Sequence, residues 1–185
     1  MKIIFYRTLL KHFDGITPSE KILYSFLVSK SISRIDDVYN KDGSTVDMEL
    51  LYDYLHDNNY YCELCVINNT KISKHLHQTR KTVITGINNL KKLGYIGDDW
   101  IHIDRHIVEN GYFTLENIDK IKGDLLIFYS FIRDKSLKYG YHIDTYKRGL
   151  SQQIFKSKTS VTKMLQRLYK IGLVERLNDG RLFIK

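Results

Sequence analysis

Two short motifs in this chain carry side chains that bind metals or serve strand-nicking chemistry, and neither has the structural setting that chemistry needs. His75, Leu76 and His77 spell the His-hydrophobic-His pair of metal-dependent strand-nicking enzymes, and fourteen tyrosines offer a nucleophile. That chemistry needs both imidazoles on one face of a strand. Here the pair falls in a segment of helical spacing, where residues i and i+2 point to different sides. Cys62 and Cys65 form a single Cys-x-x-Cys. Tetrahedral zinc takes four ligands, and the nearest others, His75 and His77, would have to converge from a different element. On a strand the two thiols face opposite sides, so the spacing predicts a buried thiol pair and neither a metal nor a cofactor. No glycine-rich phosphate cradle and no Ser-His-Asp set stands out, and no enzyme activity is expected.

A third group of residues suits binding. Arg80, Lys81, Thr82, Thr85, Asn88 and Asn89 fall on the polar side of one helical segment, and Lys158, Thr159, Ser160, Lys163, Gln166 and Arg167 on that of another. Arg176 and Arg181 flank an Asn-Asp-Gly turn near the end of the sequence. Arginine and lysine suit guanine edges and phosphate, and asparagine or glutamine suits adenine. The charge distribution agrees. The formal net charge is +8, but residues 32–69 hold two basic groups against eight acids, so the remainder carries 27 basic against 13 acidic groups. A basic surface of that excess attracts a polyanion, because phosphate contacts release condensed counterions.

The elements that must position these residues occur twice. "KISKHLHQTRKTVITGINNLKKLGYI" (71–96) lies over "GLSQQIFKSKTSVTKMLQRLYKIGLV" (149–174) without a gap, and upstream "YSFLVSKS" (24–31) matches "YSFIRDKS" (129–136). The offset is 105 residues upstream and 78 downstream, so the first copy holds 27 more residues, within the acidic stretch. In the second copy Val161, Leu165, Leu168 and Ile171 make a helical apolar stripe that stops at Gly172. After it Leu173, Glu175, Leu177, Leu182 and Ile184 alternate with charged neighbours around Asn178, Asp179 and Gly180, the composition of a tight hairpin. Each copy therefore predicts an extended lead-in (5–10; 112–115), a first helix, a short strand (62–67; 141–145), a short second helix, a turn with Thr79 or Ser157 as N-cap, a longer third helix and a hairpin. Helix, turn, helix and wing in that order is the winged-helix plan, whose third helix enters the major groove. The predicted fold is mostly α with small β wings: two tandem winged-helix domains, residues 1–107 with an acidic insert at about 32–69, and residues 108–185.

"FYRTLLKHFDGITPSEKILYSFLVSKS", followed by the helix-turn-helix and "LKKLGYI", resembles the N-terminal winged helix of plasmid and phage replication initiators, where a short strand precedes S-x-E-K/A-x-x-L-Y-x-x-L. The tandem duplication is similar to the paired winged helices of initiators that bind repeated origin sequences. The ending L-x-x-L-x-x-x-G followed by two hydrophobic residues is shared with winged-helix transcription regulators. The resemblance implies sequence-specific binding of double-stranded DNA at an origin or operator, with a transcription regulator as the alternative. A protein-docking adaptor that does not bind DNA is the alternative from another class. The family offers no fixed motif of base-contacting side chains, so the binding residues named above rest on helix geometry alone.

Residues 46–57 read as a further helix within the acidic insert, with Met48, Leu51, Leu55 and Tyr54 on one face. Its charge would repel DNA, which suits it to packing, with a homodimer contact or a partner protein as the minority reading. The two wings differ: Arg176 and Arg181 suit the second to phosphate, whereas Gly97, Asp98 and Asp99 place carboxylates at the tip of the first. Scarce cysteine, an N-terminal apolar run broken by Arg7 and Lys11, and no stretch near the roughly 20 apolar residues of a membrane helix predict a cytoplasmic protein without membrane contact.

Overall fold

A computed structural model of the chain describes residues 3–11, 15–35, 38, 46–65, 68–115, 119–138, 142–143 and 147–185. Among them eight α-helices and seven short strands give a mostly helical α+β architecture. The chain divides into two compact units, an N-terminal one of Ile4–Leu9 with Phe13–Tyr112 and a C-terminal one of Phe113–Lys185 with Met1–Ile3 and Leu10–His12. None of the described helices is long and apolar enough to cross a membrane.

In the N-terminal unit, strand β1 (Ile3–Tyr6) and a 3-10 turn (Arg7–Leu10) lead into α1 (Pro18–Ile32). The start of α1 is fixed by its own sequence. Thr17 Oγ1 accepts from Glu20 N at 3.3 Å, Glu20 Oε2 accepts from Thr17 N at 2.7 Å, and Pro18 fills the first helical position, where no N–H is needed. Ile22 through Val28 are all buried, so α1 is a central helix wrapped by its neighbours. Buried Ser25 ties the lead-in to it, donating to Ile4 O at 2.9 Å and accepting from Tyr6 N at 3.2 Å.

The rest of the unit comprises α2 (Met48–Asp57), β2 (Tyr61–Glu63), α3 (Asn69–His75), α4 (Arg80–Lys92), β3 (Trp100–His102) and α5 (Arg105–Glu109). Val83, Ile87 and Leu90 bury one face of α4, and Gly86 lets it approach α1 closely: a Cβ there would stand 2.9 Å from Leu23 Cδ2. β2 pairs antiparallel with β3, Cys62 opposite Ile101, and Ile101 is also bridged by Ile96 on its other side.

The C-terminal unit runs in a similar order without counterparts of α2 and α5 among the described residues: β4 (Tyr112–Leu115), α6 (Gly123–Lys138), β5 (His142–Ile143), α7 (Lys147–Gln153), α8 (Lys158–Lys170), β6 (Val174–Arg176) and β7 (Leu182–Ile184). The sheet order is β5-β7-β6, so in both units the strand before the short helix pairs with the last strand of the hairpin. The turn of the second hairpin uses Gly180 at φ +86°, where an L side chain would be strained.

One contact recurs in both units and closes the hairpin onto the first helix. The hydroxyl of fully buried Tyr24 on α1 donates to the His102 carbonyl, and that of Tyr129 on α6 donates to the Lys185 carbonyl. Burial pushes the Tyr24 phenol well above its ordinary range, which favours the protonated form that donates. Tyr24→Phe is expected to cost about 1 to 2 kcal/mol by stranding the carbonyl. Urea unfolding followed by Trp100, the single tryptophan, which lies on β3, checks this.

Several expectations are corrected. Ile171 does not complete the apolar stripe of α8: it is 48% exposed, as is its counterpart Leu93 at 41%. Both occupy the C-cap, and the chain turns away at Gly94 and Gly172, with φ of +76° and +74°, before another turn could bury them. Met48 likewise leaves the packed face of α2, which buries Leu51 and Leu55, because the helix begins only there, with Asp47 as its cap. The alternation of the second hairpin holds at Leu182 and Ile184 but not before the turn, where Leu173 and Val174 are both buried and Glu175 is exposed. The strand expected over 62–67 spans Tyr61–Glu63, and that over 141–145 spans His142–Ile143; residues 66–67, 141 and 144–145 lie outside the described residues, as do 36–37 and 39–45 of the acidic insert.

Candidate nucleic-acid interface

The local sequence starts α4 and α8 in the same way. Thr79 Oγ1 accepts from Thr82 N and Ser157 Oγ accepts from Ser160 N, each at 3.1 Å. The residue two before each cap has a left-handed backbone, His77 at φ +50° and Phe155 at +52°. The short turn between α3 and α4 is therefore matched by that between α7 and α8. The buried set Val83, Ile87 and Leu90 is matched by Val161, Leu165 and Leu168, which fixes which side of each long helix meets solvent.

On that outer side the structure places Arg80, Lys81, Thr82, Thr85 and Asn88 exposed on α4, and Lys158, Thr159, Lys163, Gln166 and Arg167 exposed on α8. Ser160 is half-buried. Thr82 and Ser160 are engaged at the caps, their hydroxyls 2.8 Å and 2.9 Å from those of Thr79 and Ser157. Half-buried Asn89 donates to Gly15 O at 3.3 Å and so secures α4 to the loop before α1.

The cations differ in their partners. Among the described residues Lys91 pairs with Asp98, Lys156 with Asp124 at 2.9 Å, Arg181 with Asp179 at 2.6 Å and Lys185 with Glu175. Arg80, Lys81, Lys158, Lys163, Arg167 and Arg176 form no ion pair among the described residues. No described carboxylate neutralises their charge, and exposed cations of that kind are the ones an anion can reach at little cost.

The two hairpin tips are more alike in charge than the sequence implies. Arg181 closes on Asp179 through both Nε and Nη2, and its backbone N–H donates to Asp179 Oδ1 at 2.9 Å, so its guanidinium serves the turn. At the first tip, the Lys91 ammonium holds the Asp98 carboxyl below the usual carboxylate range by hydrogen bonding and charge. Among the described residues Arg176 is the hairpin cation without a carboxylate partner. Arg176→Ala is expected to weaken duplex binding by about 1 kcal/mol and Arg181→Ala by less. Asp98→Ala combined with Asp99→Ala, which releases Lys91, should leave binding unchanged or tighten it. Fluorescence anisotropy on a labelled duplex at one fixed salt concentration separates the three variants.

His75, His77, Cys62 and Cys65 lie before α4 in the chain. His75 ends α3 with its ring 5.1 Å from that of Phe26, and burial lowers its pKa, whereas His77 is exposed in the following turn. Cys62 is buried in β2 and its thiol is pushed up to about 11 by burial; Cys65 lies beyond the strand, half-buried, and burial also raises it. Among the described residues no three histidine, cysteine or carboxylate side chains gather as metal ligands would.

Two outward residues escaped the sequence reading. Ile84 on α4 is 36% exposed, one position off the buried Val83. Thr162 on α8, 78 residues later, is half-buried and turns its hydroxyl to Lys158 O at 2.9 Å. The repeat could have exposed both, because they align with each other and fall outside the Val83-Ile87-Leu90 register. No protein-family model, curated protein or solved structure matches the chain.

Proposed function

We propose that the chain is a tandem winged-helix protein that binds duplex DNA sequence-specifically and without catalysis, at an origin or operator, as a replication-initiator-like protein. The observation that carries this reading is the duplicated outer face of α4 and α8. Each helix is held from behind by the same three-residue apolar set and presents cations that no described carboxylate neutralises. Such a helix, followed by a hairpin, suits insertion into a major groove roughly 12 Å wide with the hairpin beside the phosphate backbone. Two copies in one chain suit a bipartite site, with the affinity of each half multiplied by the tether.

The test is to present the full chain with a pool of random genomic fragments and sequence what is retained. Clustered repeats beside the replicon that encodes the chain support initiation, and sites at promoters would instead make it a transcription regulator. No enrichment over a non-binding control rejects DNA recognition and leaves the protein-docking adaptor.

A further inference from the structure

The outer faces of α4 and α8 share a finer pattern than positive charge. Ile84 and Asn88 are four residues apart on α4, and Thr162 and Gln166 occupy the aligned positions on α8. Residues four apart lie one above the other on the same side of a helix. In α4 this places an exposed aliphatic side chain next to an exposed carboxamide, with Lys81 one turn before Ile84. In α8 the Thr162 hydroxyl gives its proton to the Lys158 carbonyl, so for a base edge Thr162 retains its methyl group and an oxygen that can only accept. Both helices thus offer an apolar carbon followed, one turn later, by an amide.

In the major groove the 5-methyl group of thymine is the apolar feature, and adenine presents the N7 acceptor and N6 donor that a carboxamide meets with two hydrogen bonds. We infer that each long helix carries an A·T reader, Ile84 with Asn88 in the N-terminal unit and Thr162 with Gln166 in the C-terminal unit. Ile84 and Thr162 meet thymine methyls, and the amides meet adenine. This rests on the duplex-binding reading above and adds to it what each half of the site must contain. Arg80, Lys81, Lys158, Lys163 and Arg167 then supply phosphate or guanine contacts around an A·T step in each half.

The experiment uses the full chain and the duplex it enriches from a randomised pool, resynthesised with deoxyuridine in place of thymidine one position at a time. That exchange deletes the methyl group and leaves pairing and backbone intact. For the wild-type chain, at least one exchange in each half should lower affinity about fourfold, the worth of one buried carbon. Ile84→Ala should abolish the loss in one half only, and Thr162→Ser, which keeps the hydroxyl, in the other only. Neither change should alter the salt dependence, since neither residue is charged. Asn88→Ala and Gln166→Ala should relax the choice of adenine next to the sensitive thymine. Circular dichroism of each variant checks that the fold is retained; both Ile84→Ala and Thr162→Ser alter side chains outside the buried face. If a duplex is enriched but every deoxyuridine exchange is silent, or the losses persist unchanged in both variants, the inference is wrong while duplex binding stands. Failure to enrich any duplex overturns both.

Discussion

Replacing Lys158, Lys163 and Arg167 together by alanine is expected to lower duplex affinity about 100-fold at physiological salt, at roughly 1 kcal/mol for each lost phosphate contact. All three are exposed on α8 and have no ion pair among the described residues, so the substitutions break no salt bridge seen there. Alanine is also the best helix former, so α8 itself should be slightly stabilised. Loss of binding with unchanged urea unfolding therefore separates an interface role from a structural one. The same triple change should reduce the steepness of the salt response by about 0.9 per contact. A smaller loss is expected for Arg80→Ala with Lys81→Ala, because two cations rather than three are removed.

The second large effect concerns what holds the long helices in place. Leu90 and Leu168 are fully buried at aligned positions of α4 and α8. Leu90→Ala and Leu168→Ala should each destabilise their unit by about 2 to 5 kcal/mol, through lost transfer energy and the cavity left behind. Leu93→Ala and Ile171→Ala, at the C-caps themselves and exposed, should stay within about 0.5 kcal/mol. Urea unfolding monitored by Trp100 fluorescence follows the N-terminal pair, and circular dichroism follows both. Equal costs at buried and exposed positions would show that the stripes end elsewhere than at Leu90 and Leu168.

Much of this arrangement is legible in the sequence because the repeat samples each element twice. Thr79 and Ser157 are read as caps from their place before an apolar stripe, and both cap through the third residue of the helix. The 78-residue offset from α3 to α7 and from α4 to α8 is exact in the element boundaries. Periodicity misleads at the edges of elements. Ile171 and Leu93 have the spacing of buried residues, but spacing cannot tell that the chain leaves the helix axis at the next glycine. Met48 fails for the same reason at the start of α2.

At the candidate interface the residue types are legible and their partners are not. The sequence nominates Arg176 and Arg181 alike as hairpin cations, and only the conformation of the turn gives Arg181 to Asp179. Asn88 and Asn89 read alike in the sequence, yet Asn89 is half-buried and reaches Gly15 O. Ile84 carries no signal of its own in the sequence, because an aliphatic residue in an amphipathic helix ordinarily belongs to the core.

The salt dependence of binding to a labelled duplex tests the central claim most directly. The logarithm of the association constant should fall against the logarithm of salt concentration by about 0.9 for each of Arg80, Lys81, Lys158, Lys163, Arg167 and Arg176 that meets a phosphate, to a slope of about −5 if all six do. A flat response, or binding no tighter to duplex DNA than to an uncharged polymer, would contradict the assignment of α4 and α8 as nucleic-acid-reading helices.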